Sequence, residues 1–346
     1  MHILYVACNS NVNLYREDGS FIYRCENVGL ALLELGLTIE FCHLKDLSST
    51  KKVSVMIFHR PKFSLRLISL IYFFKLRGVR IWADFDDLIF DPDYTAFSPA
   101  ILNRLKPYDN IYSLYKSHKK ALFLVDKVFF STQALVEHFN KIFPDKECIW
   151  LPNAVHINWL SQPKDMSSSY LASSDPVITY LPGSRSHDRD FEVFLAPLQD
   201  FLADFKYVKL QITGPLAIKV TMPATQLIHK DRVNFADYHN EVKQAWVNLA
   251  PLEDTPFTRC KSALKVIEGA YWGKPTICSK LPDAERLNDR GAIIVSDTVD
   301  VYAYLKKFLD EGFYHHYCQQ LREKILEVAD IRVIASTVVK LIDGSA

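Results

Sequence analysis

Glycine is scarce in this chain, 11 in 346 residues, and neither GxGxxG nor GxxxxGKS/T occurs. Both patterns let a backbone approach a pyrophosphate closely, so their absence weighs against a dinucleotide-dependent dehydrogenase and a P-loop enzyme. The seven cysteines, at 8, 25, 42, 148, 260, 278 and 318, are odd in number and scattered. With no CxxC pair and no Cys/His ligand spacing, they argue against structural zinc and a disulfide framework, and for a reducing, cytoplasmic compartment. Charge of neither sign is in excess, 41 Lys+Arg against 40 Asp+Glu, so no bulk attraction to nucleic acid is implied. No apolar run approaches the roughly 20 residues of a bilayer span. The opening MHILYVACNSN has a short apolar run and no basic leader, and reads as a β-strand rather than a signal peptide.

What is present is an ordinary globular composition, 49% hydrophobic and 23% charged, over a length that suits two α/β domains with separate cores. Strands and helices alternate through the first half, the pattern of a parallel sheet. Strands are expected at 2–8, 38–43, 53–58, 79–83 and 127–130, with helices at 20–35 and 64–76 and a helix after 131–132 capped by Ser131 or Thr132. The third strand delivers His59 and Arg60, and the fourth delivers Asp84, Asp86 and Asp87. A Ser-rich stretch without periodicity marks a linker at 161–175. The domains are therefore expected at 1–160 and 176–328.

In the second half, VITYLPGSRSHDRDF is an apolar strand running into a polar loop with Gly183, Arg185, His187, Asp188 and Arg189. In a parallel α/β sheet such a loop projects where ligands sit, and arginine forks suit diphosphate oxygens. LQITGP reads as a strand with a Gly–Pro turn, and RVNFADY as a strand with an acidic turn. Val247–Pro275 reads as a buried strand, a polar loop and a helix capped by Ser262, with Lys261, Lys265 and Glu268 on one helical face. Lysines at a helix N-terminus suit a phosphate, and a carboxylate two turns on suits a ribose.

Together these segments resemble a GT-B glycosyltransferase, of the large retaining group known as family 4. The resemblance is carried by YLPGSRSHDRDF, LQITGP, VNFADY, VNLAPLEDTPFTRCKSALKVIEGAYWGKPTICS and GAIIVSD, in that order. It implies an α/β fold of two Rossmann-like parallel domains facing across a cleft, with LPNAVH near 151–156 at the crossover. It implies a C-terminal helix, at 329–346, that returns to the first domain. It also implies that Arg185 and a nearby basic residue, Arg189 or Lys261, bind the donor diphosphate, and that Glu268, the second acid of the family's Glu-x7-Glu motif, holds the ribose; Gly183, Ser262 and Lys265 join them as donor-binding candidates from their places in the loop and the helix. The first acid of that motif is replaced by Cys260, and the glycine-rich turn after it by Lys261, Ser262 and Ala263, which leaves the donor's identity open.

The implied reaction is transfer of a sugar from a nucleotide-sugar donor, with retention, to a glycan or lipid-linked glycan, as in bacterial surface polysaccharide (LPS, O-antigen, capsule) synthesis. No cofactor and no metal ligand set are assigned. The candidates near the chemistry are His59, His187, Asp84, Asp86 and Asp87, with Ser10 and Asn11 after the first strand. The three aspartates carry three readings: Mg²⁺ ligands, as in the Asp-x-Asp of GT-A enzymes; turn or helix caps; and contacts to the acceptor, or base and nucleophile. The histidines read equally as satisfied structural residues. Between Leu47 and Ala83 there are eight Lys/Arg and no acid, so residues 62–80 read either as a face for an anionic membrane, on its inner side, or as a core helix with snorkelling bases. A sugar-nucleotide epimerase or hydrolase of the same fold, and a non-catalytic nucleotide-binding protein, are the alternative functions.

Overall fold

The computed structural model describes residues 1–162, 175–218, 220–297 and 299–344. The linker read at 161–175 thus lies, at 163–174, outside the described residues. The chain divides into two compact units: Met1–Ser161 with Cys260–Ser262 and Ala329–Ala346, and Gln162–Arg259 with Ala263–Val328.

The first unit is built on a six-stranded sheet of order β2-β1-β3-β4-β5-β6, every pair parallel. Its strands are His2–Ala7, Thr38–His43, Val55–His59, Arg80–Phe85, Lys127–Phe130 and Cys148–Trp150, β1 to β6 in chain order. β1 and β3 are buried almost throughout, which is why they read as unbroken apolar runs rather than alternating ones. Thr132 is the residue that caps the helix Gln133–Ile142, its hydroxyl accepting from the Leu135 amide.

The helix expected over 20–35 is not uniform. A turn of α-helix, Gly19–Phe21, widens into a π-helical turn, Ile22–Glu26, before α-helix resumes over Asn27–Glu34. The wide turn buries four successive side chains, Ile22, Tyr23, Arg24 and Cys25, which a helix of constant pitch would spread over opposite faces. Leu35, expected on the core face, is exposed, and Gly36 with φ +84° turns the chain out. The helix Ile331–Asp343 lies in this same unit: Ile331, Ile334, Ala335, Val338 and Ile342 share one hydrophobic cluster with Val28, Ala31 and Leu32.

The second unit carries β7 (Val177–Tyr180), β8 (Lys209–Thr213), β9 (Leu227–Lys230), β10 (Val247–Ala250), β11 (Thr276–Ser279) and β12 (Ala292–Val295). The sheet order is β12-β11-β10-β7-β8-β9, again parallel throughout. Its first strand lies at the centre and later strands extend outward on either side, the doubly wound order of dinucleotide-binding sheets. The third strand is not in RVNFADY. It is Leu227–Lys230, and Asn234 instead caps a helix, Phe235–Lys243, by accepting from the Asp237 amide.

Both domains are therefore Rossmann-like parallel α/β units, as the resemblance implied.

Candidate functional site

In open parallel sheets, ligands sit beyond the carboxyl ends of the strands where the order reverses. That point lies between β1 and β3 in the first unit and between β7 and β10 in the second. The residues singled out in the sequence fall into two clusters, one at each sheet.

In the second unit, β7 ends in Leu181, Pro182 and the exposed Gly183 and Ser184, followed by a 3-10 turn, Arg185–His187, and the helix Asp188–Asp204. Gly183 has open space around its Cα. Arg185 projects into solvent, with the Asp188 carboxylate 3.8 Å from its Nε. His187 is tied down: its Nδ1 lies 2.8 Å from Asp190 Oδ2, and its carbonyl accepts from the Tyr180 hydroxyl. Asp190 also accepts from the Glu253 amide, and Glu253 takes the guanidinium of Arg189. The loops after β7 and β10 are thereby laced together by carboxylates.

Beyond β10 the helix Leu264–Tyr271 carries Lys265 and Glu268. Lys265 donates to the Leu181 carbonyl at 2.6 Å, fixing the end of β7. Glu268 is buried, and its Oε2 accepts from the Tyr238 hydroxyl at 2.8 Å. Burial and the Glu268 charge push the Tyr238 phenol well above its ordinary value, so it remains a donor at any working pH. Lys265, Glu268, Tyr238 and Asn248 line one small cavity with Leu181, Val242 and Leu249. Asn248 Oδ1 accepts from Thr179, while its Nδ2 is buried without a hydrogen-bond partner.

Two expectations for this helix need correction. Ser262 does not cap it: Ala263 stands at the N-cap with no side-chain bond, its amide donates to Asp283 Oδ2, and Ser262 Oγ accepts from Asn153 instead. Lys261 does not share a helical face with Lys265 and Glu268, because it precedes the helix and belongs with Cys260 and Ser262 to the first unit. The cause is local: Lys261–Ala263 links a 3-10 turn, Thr258–Cys260, to the helix without being helical, and Asp283 supplies the negative charge that the helix N-terminus favours.

In the first unit the switch point holds a denser polar network. His59 ends β3, paired with Ala7 on β1 and Asp84 on β4. Arg24 from the π-helical turn grips both oxygens of Asp84, at 2.9 and 2.8 Å, and donates as well to the Leu151 carbonyl and Asn153 Oδ1. Both members of the pair are almost fully buried, and Asp84 more than offsets the burial that would lower the Arg24 guanidinium. Ser20 donates to Asp86 at 2.6 Å, and its Oγ lies 2.8 Å from His59 Nε2. Since the serine proton goes to Asp86, His59 is the donor in that contact, and its buried Nδ1 is an acceptor with no partner.

Burial, with Arg60 adjacent, lowers His59 to about 4, so the ring is neutral. Burial would raise Asp86, but Arg60, His59 and the Ser20 hydroxyl outweigh it and hold the carboxyl at about 2. Arg60, in the left-handed region at φ +48°, spans Asp86 and Asp87, and Lys261 reaches Asp87 at 3.0 Å. Cys260 is buried, which raises its thiol to about 12, and its carbonyl accepts from Thr132. No group of three or more His, Cys, Asp or Glu able to hold a metal ion occurs among the described residues; the aspartates face cations of the chain itself.

Ser20, Arg24, Asn153 and Tyr238 are the site residues that sequence reasoning passed over. Asp18 belongs with them, since its side chain accepts from Asn9 and the Ser20 amide.

No protein-family model matches this chain, and no curated protein matches it. Solved structures do. A glycosyltransferase from Rickettsia africae aligns over 99% of this chain and 98% of its own, at TM-score 0.64 and 11% identity. Sucrose-phosphate synthase from Thermosynechococcus elongatus aligns over 99% of both chains, at TM-score 0.60 and 11% identity. S. aureus MnaA, solved with UDP, aligns over 100% of this chain and 98% of its own, at TM-score 0.53 and 11% identity. At such identities the likeness is one of fold, and the fold is GT-B.

Proposed function

We propose that the protein transfers a sugar from a nucleotide-activated donor to an acceptor hydroxyl. The observation that carries this reading is the β7–β10 switch point, where Arg185, the Lys265–Leu181 contact and the Tyr238–Glu268 pair converge on the carboxyl edge of a doubly wound sheet. Arg185 has its guanidinium in solvent and suits the diphosphate, whose bidentate geometry it matches. Glu268, with one oxygen held by Tyr238, presents a fixed acceptor to a ribose hydroxyl. A buried, hydrogen-bonded carboxylate cannot swing away, so it fixes the nucleoside and with it the reacting carbon. Stabilising the departing phosphate with preorganised cations is then the main source of rate.

In this reading Lys265 has two roles, holding the Leu181 carbonyl and bringing positive charge to the phosphates. Transfer proceeds with retention to a glycan, with a lipid-linked surface glycan as the favoured acceptor. This reading takes same-face attack, with the leaving phosphate accepting the acceptor proton, as its mechanism.

Thermal denaturation in the presence of UDP, GDP, CMP, dTDP and ADP, with and without Mg²⁺, tests the donor site. A nucleotide at about 100 times its dissociation constant stabilises by about 2.7 kcal/mol. One base that shifts the wild type and fails to shift Glu268→Ala supports the assignment, and the absence of any shift refutes it. Proton NMR of the first product's anomeric centre then decides retention, and nucleotide release without an acceptor would identify a hydrolase or epimerase.

A further inference from the structure

Strands at the centre of a parallel sheet are covered on both faces and ordinarily carry apolar side chains. Three strands of the second unit break that pattern at one level. Thr179 on β7, Asn248 on β10 and Thr276 on β11 are register partners in adjacent strands, and all three are buried. Their side chains form a polar row on the face that the helix Leu264–Tyr271 covers. The helix rests on this row with little clearance: a Cβ added at Gly269 would lie 2.5 Å from Thr276 Oγ1 and 3.2 Å from Asn248 Nδ2. Glu268 immediately precedes that glycine, so its height above the sheet is set by these polar groups.

A buried polar side chain costs free energy unless it is hydrogen-bonded. Thr179 donates to Asn248 Oδ1 at 2.6 Å, and Thr276 Oγ1 lies 3.5 Å from the Lys265 carbonyl. The Thr179 bond turns the Asn248 amide so that its NH2 end faces the cavity lined by Glu268, Tyr238 and Lys265. Asn248 is 5% exposed, and its Nδ2 has no hydrogen-bond partner among the described residues. The cavity offers about 10 Å³ to the centre of a water molecule, room for one water and far too little for a base or a sugar. Its lining supplies what a water needs: a donor in Asn248, and an acceptor in the Glu268 carboxylate, whose Oε2 also takes the Tyr238 hydroxyl.

We infer that Asn248 holds one buried water beneath Glu268, and that this bridge fixes the carboxylate for the ribose. The water accepts from Asn248 Nδ2 and donates to the carboxylate. Such a bridge is nearly as good as a direct hydrogen bond, and it restrains the carboxylate from the sheet side while Tyr238 restrains it from the neighbouring helix. Asn248 is thus a positioning residue, acting on the nucleotide only through Glu268. The inference rests on the ribose reading of Glu268 and adds to it the group that supports the carboxylate from below.

A high-resolution crystal structure should show one water within hydrogen-bond distance of both Asn248 and Glu268, and a dry cavity overturns the inference. Calorimetry of the full chain with UDP, GDP, ADP and CMP, each against its 2′,3′-dideoxy counterpart, reads the effect on the ribose. The wild type should favour the ribonucleotide about tenfold or more. Asn248→Val removes the donor and leaves a side chain suited to a central strand. It should bring that preference to within about threefold, with the dideoxy compound bound as the wild type binds it. Asn248→Asp, of nearly the same shape but without the NH2, should do the same and serves if the valine variant does not fold. Asn248→Ser keeps a donor and room for water, and should retain most of the preference. A purely structural role would weaken both compounds alike, so a preference unchanged in Asn248→Val and Asn248→Asp overturns the inference and leaves the ribose reading standing. A wild type that binds both compounds equally, or neither, overturns the ribose reading and this inference with it.

Discussion

Removing the Asp84 carboxylate is the most exacting test of the first unit's architecture. Arg24 has four hydrogen bonds, two to Asp84, one to Leu151 and one to Asn153, and the guanidinium is shielded from water. Asp84→Leu keeps the side-chain volume roughly constant but leaves a cation that cannot lose its proton, with two N–H groups unmatched. Breaking a buried ion pair in this way costs about 3–5 kcal/mol, a large share of a stability of about 5–15 kcal/mol. Arg24→Met removes the cation instead. Its cost has a different pH dependence, because Asp84 can then take a proton: burial raises the carboxyl above its unfolded value, so stability is retained at acid pH and lost as pH rises through the raised value.

The double replacement eliminates both charges and leaves the Leu151 and Asn153 oxygens unsatisfied, at about 1–3 kcal/mol each. It should therefore cost less than the sum of the two single changes by at least about 2 kcal/mol. Urea unfolding followed by circular dichroism, at pH 7 and pH 5, measures all four corners of this cycle. Additivity within about 0.5 kcal/mol would refute the claim that these two groups compensate one another.

Other outcomes follow from the same structure. Tyr238→Phe leaves the buried Glu268 short of a donor and should cost about 1.5–3 kcal/mol while weakening nucleotide binding, read by calorimetry; unchanged binding would separate Glu268 from the ribose. Burial lowers His59 and His156 to about 4 and His118 to about 3. Their unfolded forms bind protons first, so first-unit stability is fully present above pH about 6.5 and lost as pH falls toward 4, by roughly 3 kcal/mol for each histidine. His118→Gln should flatten the urea midpoint against pH in that window, and an unaltered slope would contradict the assignment. Gly214 has φ +125°, and an added Cβ would lie 2.4 Å from the Pro182 carbonyl oxygen. Gly214→Ala should cost more than about 1 kcal/mol and displace the Gly183–Arg185 loop, visible as a loss of nucleotide-induced thermal shift.

The sequence was most legible where the causes were local. Strands ended by Pro, Gly or acidic clusters placed His59, Asp84–Asp87 and the Arg185 loop at carboxyl edges of parallel sheets, while the last helix was expected from the family resemblance. What escaped was set by partners distant in the chain. Arg24 drew no notice in the sequence, because the π-helical turn that buries it has no composition of its own. Ser262 resembled a cap because capping is judged from neighbours, whereas Asn153, over a hundred residues earlier, claims its hydroxyl. In RVNFADY, β-branched and aromatic residues outweighed a cap signal that was present, Asn234 with Asp237 three positions on. The aspartate cluster suggested a metal because its cations, Arg24, Arg60 and Lys261, come from other segments.

The discontinuity of the first unit bears on how the chain is made. Synthesis delivers β1 to β6 first and the whole second unit next, and only then the helix Ile331–Asp343, which contributes Ile331, Ile334, Ala335, Val338 and Ile342 to the earliest core. Domains ordinarily fold as they emerge, the N-terminal one first. Here the unit begun first is completed last, so its apolar flank around Val28 and Leu32 waits uncovered for some 170 residues of translation. Until the residues after Ala329 are free of the ribosome, the first unit lacks the helix that completes its core, whatever the second unit has already folded.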